Sequence, residues 1–153
     1  MRIGINGYRL SDPAGTGRYI RTLLDGLGEL HGSHEYVRLE ARLRPYTLWE
    51  QVVLPFVIRK ERLDVFFGPA FGLPLASSVP GVVMVHDLSF AHHPEAYQRK
   101  QRGYYRLIAG RSARKARRVI APSAAVAADV HERWAVPEER IDVIAEAVAR
   151  GIR

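Results

Sequence analysis

Cysteine is absent from the 153 residues, which excludes disulfides, thiol chemistry and cysteine-ligated zinc. No apolar run approaches the ~20 residues that a helix needs to cross a bilayer. The opening stretch, MRIGINGYRL, lacks the long apolar core and the small-residue cleavage site of a secretory leader. The expectation is a cytoplasmic protein, at most peripheral on a membrane. Several catalytic signatures are missing too. No Gly-Lys-Ser/Thr follows the glycines at 15 and 17, which excludes a Walker loop, and no serine stands in a G-x-S-x-G elbow. No Asp-x-Asp pair is present to hold a divalent ion on a nucleotide diphosphate. Acidic residues are missing from the whole interval between Glu95 and Asp129.

That interval carries Arg99, Lys100, Arg102, Arg106, Arg111, Arg114, Lys115, Arg117 and Arg118, and the formal net charge of the chain is +7. Such a field favours an anionic partner: phosphates, nucleic acid or an acidic membrane surface. The plainer alternative is a solvated, arginine-rich helix. With 47% hydrophobic and 25% charged residues, the chain has the composition of a single folded domain.

Short β-rich runs alternate with longer helical ones. RIGINGYRL (2–10) reads as a strand, SDPAGTG (11–17) as a turn-rich loop, and RYIRTLLDGLGEL (18–30) as a helix with Tyr19, Leu23, Leu27 and Leu30 on one face. EYVRLEARL (35–43) alternates as a half-buried strand does. TLWEQVVLPFVIRKER (47–62) is helical, with an interruption or kink at Pro55. Strands are expected at 63–68 and 81–87. A basic helix follows at 97–117, packing through Tyr104, Tyr105, Ile108, Ala109 and Ala116. A strand at 117–123, a helix at 124–136 and a last strand at 140–148 complete the chain. Continuously apolar strands between helices predict an α/β fold: a Rossmann-like, doubly wound, mostly parallel sheet with helices on both faces. Ligands of such sheets bind beyond the carboxyl ends of the strands. Those ends fall at residues 9–17, 68–74, 86–94 and 122–124.

The residues with chemical capacity lie there. Gly15 and Gly17 flank Thr16 at a strand-to-helix turn whose free amides suit a phosphate, and Arg18 adds a cation. Ile20 occupies the place of the third glycine in a dinucleotide fingerprint, which weakens a nucleotide-binding oxidoreductase; a plain βα turn is the alternative. His86 leaves a buried strand at the rim and could donate to a hydroxyl or a phosphate, or act as acid or base; a structural histidine is the alternative. Asp87 is suited to holding the next turn through backbone N–H bonds. Ser123 stands at a helix N-cap, which is itself a sufficient reason for a serine. His92 and His93 are adjacent, with no local carboxylate in a zinc pattern, so no metal site is expected.

Five blocks in order carry a resemblance: GTGRYIRTLLDGL, LDVFFGPAFGLPL, VPGVVMVHDLSFAHHPEAY, ARRVIAPSAAVAADV and ERIDVIAEAV. Together they resemble the N-terminal domain of the retaining GT-B glycosyltransferases of group 1, family 4, over nearly the whole chain. The resemblance implies one half of a two-domain enzyme, the acceptor side, which moves a sugar from a nucleotide-sugar to an acceptor hydroxyl. It places Gly15, Thr16 and Gly17 near the donor phosphates and His86 beside the transferred sugar. Ser123 falls at the matching strand end. Asn6 departs from the aspartate of many relatives, and the segment between residues 35 and 47 looks compressed.

Further expectations follow from the resemblance. Residues 1–153 form a single domain, and AEAVARGIR at the end is similar to the start of an interdomain linker. The donor-gripping glutamate- and glycine-rich region of the family has no counterpart in the five blocks. The isolated domain is expected to be inactive and, through apolar surface left uncovered, prone to self-association. No cofactor is implied beyond the nucleotide-sugar substrate. Arg99, Lys100, Arg102 and Arg106 are expected to meet an anionic acceptor or an acidic membrane surface. A non-catalytic basic phosphate- or nucleic-acid-binding module is the competing reading, although no aromatic residues interleave with the basic ones in an RNA-recognition pattern.

Overall fold

The computed structural model describes residues 1–146 except 14, 31, 42 and 43, and leaves out the side chain of Lys100. The expected strand ends at 42–43 and 147–148, most of the linker-like segment and the side chain of Lys100 therefore lie outside the described residues. Six strands form one parallel sheet in the order β2-β1-β3-β4-β5-β6. They are β1 (Arg2–Asn6), β2 (Glu35–Leu39), β3 (Val65–Gly68), β4 (Gly81–Met84), β5 (Arg118–Ala121) and β6 (Ile141–Val143). The main helices are α1 (Gly15–Glu29), α2 (46–60), α3 (Ser89–His92), α4 (99–115) and α5 (Ala124–Trp134).

The two-residue period of the strands sorts the core into two layers. Phe66, Val83 and Val119 join Leu54, Ile58, Ala109, Ala113 and Val130 on one face. Ile5, Phe67 and Met84 meet Tyr19, Leu23 and Leu27 of α1 on the other. α1 thus covers one face, and α2, α4 and α5 pack on the opposite one, as a doubly wound sheet requires. Leu30, expected on the packing side of α1, is 63% exposed at its end.

Several elements differ from the sequence reading: β1 ends at Asn6 rather than at residue 10, and β5 and β6 cover only Arg118–Ala121 and Ile141–Val143. Helix α1 starts at Gly15 rather than Arg18, so the glycines belong to its first turn. β4 stops at Met84, although the Val85 N–H still pairs with the Ile120 carbonyl, so His86 and Asp87 lie just past the ladder. Pro55 does not break α2. The helix widens into a π turn over Trp49–Val53, with the Leu54 N–H reaching back to the Trp49 carbonyl, and Pro55 enters the first turn of the next α segment (Leu54–Lys60). A first-turn position suits a residue without an N–H. A second π turn, Tyr105–Ala109, lies within α4.

Candidate functional site

Between the carboxyl ends of β1 and β3 the chain winds outward in opposite directions, toward β2 and toward β4. At that reversal opens a cavity of about 270 Å³, lined among others by Tyr8, Arg9, Thr16, Tyr46, Phe71 and Tyr104. This is where an open parallel sheet places its ligands.

The loop after β1 is fastened to the helix it feeds. Arg21 donates from Nη1 to the carbonyls of Leu10 (2.6 Å) and Asp12 (3.0 Å), and Arg9 pairs with Asp12 at 3.3 Å. Gly17 packs against that loop so closely that a Cβ would collide with the carbonyl oxygens of Asp12 and Arg9. Gly15 faces open space. The first amides of a helix have no intrahelical acceptor; in this turn Gly15 is exposed and Gly17 is buried. Thr16 lines the cavity; Arg18 is exposed and outside its lining.

His86 stands beside this turn, its ring edge-on to Tyr19 at 5.0 Å between centroids. Its side chain is only 12% exposed. Nε2 lies 2.8 Å from the Pro69 carbonyl, which can only accept, so Nε2 carries a hydrogen. Nδ1 lies 2.6 Å from Glu146. Burial, and then the charge of Glu146, pushes the Tyr19 phenol up to about 12. Phe71 packs against the other side of His86 at 5.7 Å and adopts a left-handed φ of 64°, held by its N–H bond to the Met84 carbonyl. Such a conformation in a residue with a Cβ is held by its surroundings, and it concentrates at functional sites. Asp87 is outside the cavity lining, and its Oδ1 accepts the Ser89 N–H at 2.8 Å and the Ser89 hydroxyl.

Sequence reasoning missed the back of the cavity. Glu50, in the first π turn, is fully buried. It accepts from Tyr46 (2.8 Å), from Tyr104 (2.9 Å to Oε2) and from the side chain of Gln51 (2.9 Å). Asn6 donates in turn to the Tyr46 oxygen at 2.5 Å, and Tyr8 stacks over Tyr46 at 3.5 Å. Burial raises the Glu50 pKa, against the opposing effect of those three hydrogen bonds. Burial first, and the Glu50 charge second, holds both tyrosines well above the usual phenol range. A Cβ at Gly72 would collide with the Glu50 carboxylate and the Tyr104 hydroxyl, so the loop after β3 needs a glycine there. Gln51 and Ser112 pin that loop from opposite sides, through Leu73 and Leu75. The adjacent Glu50 and Gln51 in the otherwise apolar run LWEQVVLPF were the available signal.

The remaining candidates lie elsewhere. Ser123 caps α5, its Oγ accepting the Val126 N–H at 3.3 Å. Arg99, Arg102 and Arg106 line a separate groove with Arg133 and Trp134, on the side of α4 away from the cavity. His92 pairs with Asp129 at 2.6 Å, which lowers the carboxylate pKa, and His93 faces Glu95 at 3.5 Å. Among the described residues no three or more His, Asp or Glu side chains cluster as metal ligands, and no helix is long and apolar enough to cross a membrane.

A parallel six-stranded sheet, wound in both directions from its middle and covered by helices on both faces, is a Rossmann-like α/β domain. The family model of glycosyltransferase family 4 matches residues 17–149, and the chain belongs to that family. Among solved structures it is similar to a glycosyltransferase from Rickettsia africae ESF-5, with 15% sequence identity and a TM-score of 0.47. That similarity covers 96% of this chain and 43% of the other, so the chain spans less than half of that protein's length. No curated protein sequence matches it.

Proposed function

We propose that residues 1–153 form the acceptor-side half of a retaining glycosyltransferase that moves a hexose from a nucleotide-sugar to an acceptor hydroxyl. The donor half would lie in a further domain facing the same strand ends. The observation that carries this reading is the convergence of His86, the first turn of α1 and the cavity at one edge of the sheet. In this reading the cavity takes the acceptor. The amides of Gly15, Thr16 and Gly17 approach the donor diphosphate and, with nearby basic side chains, stabilise the charge that develops on it. His86, fixed by Pro69 and Glu146, sits beside the sugar being transferred and orients it. The nucleotide-sugar is a substrate, and the reading needs no cofactor.

Purified 1–153 incubated with nucleotide-sugars and methyl glycosides is expected to transfer no sugar. An enzyme carrying both halves is expected to yield a product with the anomeric configuration of the donor, read by proton NMR. Turnover by 1–153 alone would contradict the division of labour, and an inverted product would remove retention.

The groove lined by Arg99, Arg102, Arg106 and Arg133 supports a contact of this half with an acidic bilayer surface. Co-sedimentation with phosphatidylglycerol vesicles is expected at low salt and lost at high salt. Absence of binding at any salt removes the membrane contact, and a salt-sensitive gel shift with random RNA would favour the nucleic-acid module.

A further inference from the structure

Glu50 is completely buried, and it stands behind the cavity wall rather than on it. An ionised carboxylate only accepts, and this one receives hydrogens from Tyr46, Tyr104 and Gln51. Both phenolic hydrogens are therefore directed away from the cavity that Tyr46 and Tyr104 line. The Tyr46 oxygen takes its further hydrogen from Asn6, and the Tyr104 oxygen retains accepting capacity. We propose that Glu50 is a positioning residue: by holding the hydroxyls of Tyr46 and Tyr104 it makes this wall a hydrogen-bond acceptor that selects an uncharged, hydroxyl-bearing sugar ring. The proposal rests on the reading of the cavity as the acceptor site.

Three further observations agree with it. The cavity, at about 270 Å³, lies just below the roughly 300–1,000 Å³ usual for drug-sized ligands, a size that suits a single ring. Tyr8, Phe71 and Tyr105 supply aromatic surface for the C–H faces of such a ring. A phosphate, which mainly accepts, finds no hydrogen at the Tyr46 and Tyr104 oxygens, because both phenols donate to Glu50. Gly72 leaves the space that this arrangement needs, since any side chain there would displace Glu50 and Tyr104 together.

The test is saturation-transfer NMR on the chain with methyl α-D-glucopyranoside, methyl α-D-mannopyranoside and glucose 6-phosphate, for the wild type, E50Q, Y104F and the double variant. The wild type is expected to bind a methyl glycoside in preference to the phosphate. Each single variant, measured at a temperature where it remains folded, is expected to weaken that binding about tenfold. The double variant is expected to lose no more than either single one, because the two residues act as a unit. Sugar binding retained by both single variants, or losses that simply add, would overturn the positioning role and leave the acceptor site standing. Absence of any methyl glycoside binding in the wild type would instead remove the acceptor reading, and this proposal with it. Preference for the phosphate would overturn the selectivity. Should E50Q fail to fold, Y104F decides alone: a tenfold loss supports the proposal and unchanged binding refutes it.

Discussion

His86 is held at both ring nitrogens, by the Pro69 carbonyl and by Glu146, while Tyr19 and Phe71 fix its plane. Replacing it by alanine frees the rim without disturbing the ladder, which ends at Met84. In a two-domain enzyme H86A is expected to lower kcat by about 10²-fold or more, the scale typical of a group engaged with the reacting centre. A kcat within twofold of wild type would exclude His86 from the reaction. Gly17 is the sharper test of the loop. A methyl group there meets the Asp12 and Arg9 carbonyls, neither of which can yield while Arg21 holds the turn. G17A is expected to destabilise the domain by about 3 kcal/mol, at the upper end of the cost of overpacking. Thermal unfolding would show this as a fall of roughly 6–12 °C. Glu50 adds a pH dependence with a definite sign. Its pKa is raised above the ordinary 4.5, mainly by burial. Its stabilising contribution is therefore complete below that ordinary value and is lost as pH rises through the raised one. The melting temperature of wild type minus that of E50Q is expected to shrink as pH rises above 4.5. A gap that widens as pH rises would contradict the assignment.

Two of the three long helices that line the cavity, α2 and α4, contain a π turn, Trp49–Val53 and Tyr105–Ala109, and these turns hold Glu50 and Tyr105. Such widenings recur at functional sites because they re-aim side chains that regular spacing would send elsewhere. They also show why the site was harder to read than the fold. Strand and helix placement follow apolar periodicity, and runs such as those around Phe66, Val83 and Val119 point to a mostly parallel, doubly wound sheet without tertiary information. The contact of Glu50 with Tyr104 spans residues far apart in sequence and depends on a helix that departs from its period. Regular spacing therefore left Tyr104 in the general packing and Glu50 unremarked. Loop geometry was similarly hidden: the first turn of α1 begins at Gly15 because Gly17 can approach two carbonyls, a fact of contact rather than of pattern. Ser123, by contrast, was legible as a cap and serves as one. S123A is expected to cost about 1 kcal/mol of stability. A loss several times larger, measured by urea unfolding, would point to a further role for Ser123 in the fold.

At the scale of the molecule, the chain places its cavity, its glycine turn and its histidine on one edge of the sheet, and its arginine groove on the other side of α4. An edge built in this way presents half of a cleft, and the proposed donor half would close over it. The apolar residues Leu30 and Ile144, 63% and 54% exposed, line a groove with Tyr19, Leu23 and Leu27 of α1 and show where further chain or a second copy could pack. The central claim is that the strand-end edge meets the sugar substrates. It is tested most directly by titrating the nitrogen-15-labelled chain with UDP-glucose and GDP-mannose and following the amides and the His86 ring. The account predicts shifts at Gly15, Thr16, Gly17 and the His86 imidazole with at least one of the two. Shifts confined to the groove around Arg99, Arg102 and Arg106, or to the opposite edge of the sheet, would contradict it.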